Sequence, residues 1–534
     1  MTLSAAALQS LEEIVRQEMT EWGIGGLALA LVDGRDVAYA QGFGEARRDS
    51  IFRVGSISKL FNAVAVVREI EEGGLEIDEP IASQLLPVNP FPKAPPVTLR
   101  QLLCHRSGLP RESPVGGYFD ATQPGLKPTV LGARTSRMAV PPGGKTHYSN
   151  LGPSLAGLLL EVAAGKSFED YLREHIHGPL GMGNSAWSLA TVSRERLVPA
   201  WMRVADGRGG WTRRPAPLFD LGTIPAGNLY STVDDLARFA SAILPGGGNL
   251  VSSTTFEEML QPQLTTATAG YGLGFLTSRF RDHRLTGHNG AVYGYSSSFI
   301  VLPDKGLAAI VLCNEDIVSA RTRRVGEAAL SLLLEAKFGE RPPPVAAGAP
   351  PADPSSLAGD YESQSFWARI ENRNGRLEAD ISGQPTRLDP RGGDTFSAHS
   401  RIENGTPLVF SRGWDGRATG FDIGAQNFAR IGAERPILAP EWRARLGGYG
   451  PDFIPLVVRE KHGRLYATTE NMVDYRLTPI DPRVCHLPPG MYEEEEVAFL
   501  DEPDGRPPCR VNFAGIILRR AARSAPPQII PDAT

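Results

Sequence analysis

The amino-acid sequence predicts an α+β fold: an antiparallel sheet flanked by helices, with a further helical region, followed by two small antiparallel β-barrel modules. Three observations lead there. β-prone runs around turn residues lie at both ends of residues 1–338, with helical segments between them. A Pro-rich stretch, GERPPPVAAGAPPADPSS, breaks the chain at 339–356. Beyond it, short alternating runs recur at an offset of 88 residues, becoming 89 after one insertion.

The elements follow in order. Leu8, Leu11, Val15, Met19 and Trp22 recur at helical spacing, the stripe of an amphipathic helix laid on a core. Glu12, Glu13, Arg16 and Glu18 interrupt it, so it does not read as a secretory leader, and a cytoplasmic protein is expected. GLALALVDGRDVAYAQGFGEA then reads as a hairpin turning at Asp33-Gly34. IFRVG is extended and LFNAVAVVREIEEGG is apolar almost all round, as a buried helix would be. Near the far end, YSSSFIVLP and GLAAIVLCNE form a second hairpin across Asp304-Lys305-Gly306, and VGEAALSLLLEAKF is helical. The expectation is one domain, 1–338, whose sheet is closed by both of its ends.

Residues 339–356 form a linker, because alternating Pro, Ala and Gly offer little to bury. After it, LAGDY is echoed by LGGYG, aligning Gly359 with Gly447 and Tyr361 with Tyr449. Gly-Arg-Leu at 375–377 returns at 463–465, Ala379 as Ala467, Arg387-Leu388 as Arg476-Leu477 and Pro390 as Pro479. A collinear series of this kind predicts two related β-barrel modules, 357–432 and 441–524, divided near GAERPILAPE.

Composition narrows the function only by exclusion. In 534 residues, 41% hydrophobic and 22% charged with a net charge of −5, there is no broad basic field for nucleic acid or an anionic membrane. No run of about 18 apolar residues suggests a membrane span. The four cysteines are far apart with no CxxC, and no HExxH occurs, so no metal site is expected. Cys485 and Cys509 could pair only if the C-terminal fold brought them together.

Three short motifs carry candidate chemistry. In Ser56-Ile57-Ser58-Lys59, a helical turn places the amine beside the hydroxyl, where a depressed lysine pKa makes it a base. A helix start there also offers the Ser56 N–H to an oxyanion. In Tyr148-Ser149-Asn150, the phenol can relay a proton and the amide can bind a substrate carbonyl and the lysine. In His288-Asn289-Gly290, Gly290 allows close backbone approach, Ala291 N–H is the natural second oxyanion donor, and the imidazole can orient a substrate. Taken singly, each has a plain structural reading: Ser56 as a helix N-cap, Tyr148 and Asn150 as packing and cap, His288 as a turn residue.

Together, SxxK, then YxN, then HxG on a strand resembles the serine β-lactamase and penicillin-recognising hydrolases, in the variant with YSN and HNG seen in class C-like enzymes. LLCHRSGLP (102–110), HGPLGMGNS (177–185) and AGNLYSTVDDLARF (226–239) also look familiar, and the resemblance spans residues 5–335. It implies a β-lactamase-like catalytic domain and acyl transfer through Ser56, assisted by Lys59 and Tyr148, with Ser56 and Ala291 N–H groups holding the oxyanion. No metal or organic cofactor is implied.

His288 stands where the β-lactamases carry the lysine of KTG, so a substrate carboxylate would be held less well. The two trailing β modules make the architecture resemble bacterial D-aminopeptidases, which remove an N-terminal D-residue. By the same resemblance a loop of the last barrel, LDEPDGRPP, would bring Asp501, Glu502 or Asp504 toward a substrate ammonium. The expected activity is thus a D-aminopeptidase-like amidase. The alternatives are a carboxylesterase or β-lactam hydrolase on the same machinery, and a non-catalytic ligand-binding relative. The expected partner is a small-molecule or short-peptide substrate, with no nucleic acid and no membrane; a homodimer is left open.

Overall fold

The N-terminal stripe folds as the helix Ala5–Trp22, entered through Ser4, whose Oγ accepts from Ala7 N at 3.2 Å, and ended by Gly23 at φ 69°. The computed structural model describes residues 3–84, 95–205, 210–244, 250–264, 269–343, 348–432, 434–500 and 508–521. The chain divides into two compact units: Met1–Met202 with Pro215–Pro342, and Arg203–Arg214 with Pro343–Thr534.

In the first unit a seven-stranded antiparallel sheet runs in the order Asp36–Gly44, Gly26–Asp33, Leu307–Cys313, Tyr295–Leu302, His283–Val292, Leu276–Phe280, Gly270–Tyr271. The first long strand pairs with the last, Leu27 opposite Cys313 and Asp33 opposite Leu307, so the two ends of the unit meet in mid-sheet. Both central strands are buried on both faces, which is why they read as unbroken apolar runs rather than alternating ones.

One face carries Leu27, Leu29, Leu31, Ile300, Leu302 and Val311 and packs with Leu11 and Val15 and with Val325, Leu330 and Leu333 of the helix Ser319–Phe338. The other face meets the helix Val233–Ile243, where Phe239 lies 5.8 Å from Phe299. Phe239 also stacks at 3.9 Å on Phe61 of the helix Ser58–Glu71. That helix is enclosed nearly all round because it runs on to pack against the helices Leu151–Ala164 and Ile224–Gly227.

The second unit holds the duplication. Eight strands from Gly359–Glu362 to Gln426–Arg430 form a closed barrel, Tyr361 pairing with Arg430. Eight more, Gly447–Tyr449 to Ile516–Arg519, form a nearly closed one, joined by a bridge from Tyr449 to Arg520. The repeated residues do the same work in each. Tyr361 Oη donates to Leu357 O at 2.6 Å, and Tyr449 Oη to Arg445 O at 2.8 Å. Arg430 lies 5.6 Å over the Tyr361 ring and donates to Ser356 O and Ala358 O; Arg520 lies 5.7 Å over Tyr449 and donates to Ala444 O and Leu446 O. Leu377 and Leu465 are both buried, as are Leu388 and Leu477.

Cys485 and Cys509 are not joined in a disulfide. Among the described residues no helix is long and apolar enough to cross a membrane, and no group of three or more His, Cys, Asp or Glu side chains could hold a metal ion.

Candidate active site

Ser56 does not act as a helix cap. It sits in the 3₁₀ turn Gly55–Ile57, just before the helix Ser58–Glu71, and no side chain caps either segment. Gly55 enters this turn at φ 53°, where a side chain is strained, and a Cβ there would stand 2.7 Å from Ala291 N. Gly290 is equally tight: a Cβ would lie 2.0 Å from Val54 O. The two glycines therefore let the Ser56 turn lie directly against the strand His283–Val292, and Ser297 Oγ donates to Val54 O at 2.9 Å across the same seam. The backbone around Ser56 and Ala291 is brought together by the absence of side chains at these two positions.

Lys59, one turn on, is 2% exposed. Its Nζ lies 2.9 Å from Ser56 Oγ, 2.7 Å from Asn150 Oδ1 and 2.7 Å from Ala226 O. Burial drives its pKa well below the ordinary lysine value, and the charge of Arg111 acts in the same direction while Glu112 opposes it. A neutral amine has two N–H bonds and one lone pair. Two carbonyl oxygens take the hydrogens, which leaves the lone pair for the Ser56 hydroxyl proton.

Tyr148 completes the triangle, with its Oη 2.7 Å from Ser56 Oγ. Burial pushes its pKa up to about 12, with the Ser56 hydrogen bond and the Arg111 charge pulling the other way. It is therefore a phenol at neutral pH, with a proton it can donate to Ser56. Around its ring stand Lys59 Nζ at 4.9 Å, the Arg111 guanidinium at 5.3 Å and the stacked His105 ring at 4.3 Å. Ser56 and Tyr148 are half-buried, whereas Lys59, Asn150 and His288 are buried.

His288 lies on the sheet, its ring 6.1 Å from Tyr148 and 5.9 Å from Tyr271. Burial, then the neighbouring Lys59, lowers its pKa to about 4, so the ring is neutral. Nδ1 is 2.5 Å from Asn289 O, which places the proton on Nδ1 and leaves Nε2 as an acceptor. Nε2 finds no hydrogen-bond partner among the described residues.

Residues 11–332, more than half of the chain, match the beta-lactamase family. The chain belongs to that family. It is 27% identical over 334 residues to an unguisins hydrolase from Aspergillus campestris, covering 57% of this chain and 61% of that protein, so it spans about three fifths of that relative's length. It is 29% identical over 376 residues to penicillin-binding protein 4 of Amycolatopsis lactamdurans, covering 65% of this chain and 95% of that protein. The fold is shared with the octameric penicillin-binding protein homologue of Pyrococcus abyssi (TM-score 0.57, 23% identity, 79% of this chain and 100% of that one). It is also shared with the D-amino acid amidase of Ochrobactrum anthropi SV3 (TM-score 0.53, 24% identity, 62% and 100%).

Within this beta-lactamase fold, Ser56, Lys59, Tyr148 and Asn150 converge on one point, and Gly290, Ala291 and His288 border it. Asp501, Glu502 and Asp504 lie outside the described residues. Sequence reasoning missed three contributors. Ala226 acts through its carbonyl, which has no side-chain signature, although its segment stood out by resemblance. Arg111 and Glu112 follow directly on LLCHRSGLP, the one local sign available. Their importance comes from pairing with 149–150: Ser149 Oγ donates to Pro110 O at 2.7 Å, Asn150 N to Arg111 O at 2.7 Å, and Asn150 Nδ2 to Glu112 Oε1 at 2.5 Å.

Proposed function

We propose that this chain is a serine hydrolase that works through an acyl-enzyme on Ser56, and that its substrates are amides or short peptides bearing a free amine, as for a D-aminopeptidase. The observation that carries the reading is the position of Ser56 Oγ between a buried amine at 2.9 Å and a phenol at 2.7 Å. Lys59 takes the hydroxyl proton as Ser56 attacks the carbonyl carbon. The N–H groups of Ser56 and Ala291 receive the oxyanion. Tyr148 gives its proton to the leaving amine and recovers one from Lys59; water then attacks the ester by the reverse path.

His288 supports the choice of substrate. A neutral imidazole offering only a lone pair cannot hold a carboxylate, but it accepts an N–H from a substrate amine. The shared fold with a D-amino acid amidase agrees with this. A carboxylesterase or β-lactam hydrolase is the second reading, supported by the Arg111 cation beside Tyr148, which would attract a carboxylate.

The test is intact-protein mass spectrometry of wild type and Ser56→Ala with D-alanine p-nitroanilide, its L-isomer, p-nitrophenyl butyrate and nitrocefin. The proposal expects an adduct or turnover that Ser56→Ala abolishes, with the D-anilide preferred over the L-anilide. Preference for nitrocefin or the ester moves the assignment to the second reading. Failure of every reagent, a fluorophosphonate included, to label Ser56 makes the chain a binding protein.

A further inference from the structure

The proton arrangement among Ser56, Lys59 and Tyr148 is delicate, because two groups with opposite needs share one site. Lys59 must be neutral and Tyr148 must keep its proton. Burial alone favours both, but the site also contains two side chains of opposite charge that the triangle itself does not require. Arg111 and Glu112 are consecutive residues, 11% and 0% exposed, with Arg111 Nε 4.0 Å from Glu112 Oε1. The guanidinium faces the Tyr148 ring at 5.3 Å, and the carboxylate grips Asn150, whose Oδ1 in turn holds Lys59. Charge thus reaches the two proton carriers from both signs.

We propose that Arg111 and Glu112 are a pair of positioning residues with opposed electrostatic effects, which together set the pH range over which Ser56 is acylated. Arg111 disfavours the ammonium of Lys59. Glu112 favours it, and by accepting from Asn150 Nδ2 it also fixes which way that amide points. Without the carboxylate the amide could rotate and present N–H to Lys59, removing one of the two carbonyls that orient the amine. The other titratable groups around the pair come from every neighbouring element. They include His105 from the segment after Leu99–Leu103, His147 beside Tyr148, Tyr271 from the sheet edge and His288 from the strand beside it. Burial favours the neutral rings of His105 and His288 and the protonated Tyr271, and Arg111 and Glu112 are the charges that act on Lys59.

The inference rests on Ser56 being the nucleophile, and the experiment separates the two. Single-turnover acylation by p-nitrophenyl butyrate, an uncharged ester that Arg111 cannot recruit by charge, is measured from pH 5 to 10. The proteins are wild type, Arg111→Gln, Arg111→Lys, Glu112→Gln and the double Gln variant. Arg111→Gln should move the acidic limb to higher pH, with a roughly tenfold lower rate at a fixed pH on that limb. Glu112→Gln, which keeps an acceptor for Asn150, should move it to lower pH. Arg111→Lys should restore the wild-type profile and the double variant should lie near it. Uniform loss of rate with unmoved limbs, or movement of both single variants in one direction, overturns the proposal. Near-ultraviolet circular dichroism reports misfolding, and a variant that misfolds is replaced by Arg111→Met or Glu112→Asn, read by the same limbs. Should wild type not be acylated, or Ser56→Ala be acylated equally, the nucleophile assignment fails instead.

Discussion

The carbonyl oxygen of Ala226 accepts a hydrogen bond from Lys59 Nζ at 2.7 Å, and this backbone contact decides how the lysine works. With Asn150 Oδ1 taking the second hydrogen, a neutral Lys59 has one direction left for its lone pair, toward Ser56. Burial favours the neutral amine, and these contacts aim it.

Acylation should rise with pH as Lys59 loses its proton. The sign follows from a folded-state pKa well below the ordinary lysine value, caused first by burial. Lys59→Arg, whose guanidinium stays charged, should lose about 10²–10⁴-fold in acylation rate and show no such limb. A retained limb in Lys59→Arg would assign the titration to another group.

Tyr148→Phe removes the proton donor while leaving the ring among His105, Arg111 and Tyr271. Folding should be intact. Turnover of an anilide, whose leaving amine needs a proton, should fall about 10²-fold or more, and a p-nitrophenyl ester should suffer less. Steady-state comparison of the two substrates checks this, and equal losses would argue against the donor role.

Gly55→Ala places a methyl 2.7 Å from Ala291 N at a φ of 53°. The strain and the forced separation should destabilise the protein by about 1–3 kcal/mol. Acylation should fall much further than stability, since the two backbone donors part. Thermal melts beside burst kinetics measure both, and a variant with normal bursts would remove the oxyanion role from this seam.

Away from the site, His177 is packed between Phe61 and Trp187 and burial lowers its pKa from 6.5 to about 4. Between those values the unfolded chain binds the proton more readily than the folded one, so stability falls as the pH drops from 6.5 through about 4. The loss for one such group approaches ~3 kcal/mol. His177→Phe should leave the melting temperature near pH 8 little changed and flatten its decline in acid. An unchanged slope would assign the decline to other groups, buried His105 and His288 having the same sign.

Much of the fold was legible because its signals are local. Turn residues, apolar runs and the 88-residue echo each sit within a short stretch, and Tyr361 and Tyr449 could be matched before their shared contacts were known. The clasp by Arg430 and Arg520 was not seen, since the carbonyls of Ser356 and Ala358, and of Ala444 and Leu446, that they hold lie more than 70 positions earlier in the chain.

By itself the sequence determined the candidate trio and its spacing. Ser56 and Lys59 lie one turn apart, Tyr148 and Asn150 share a tripeptide, and Gly290 is the residue type that a close backbone approach needs. Only the tertiary structure decided which of these groups carries a proton and where it points. That depends on desolvation, on a carbonyl at 226 and on two charges at 111 and 112. Such effects act through space, over a few ångströms between segments distant in the chain, and no residue pattern records them.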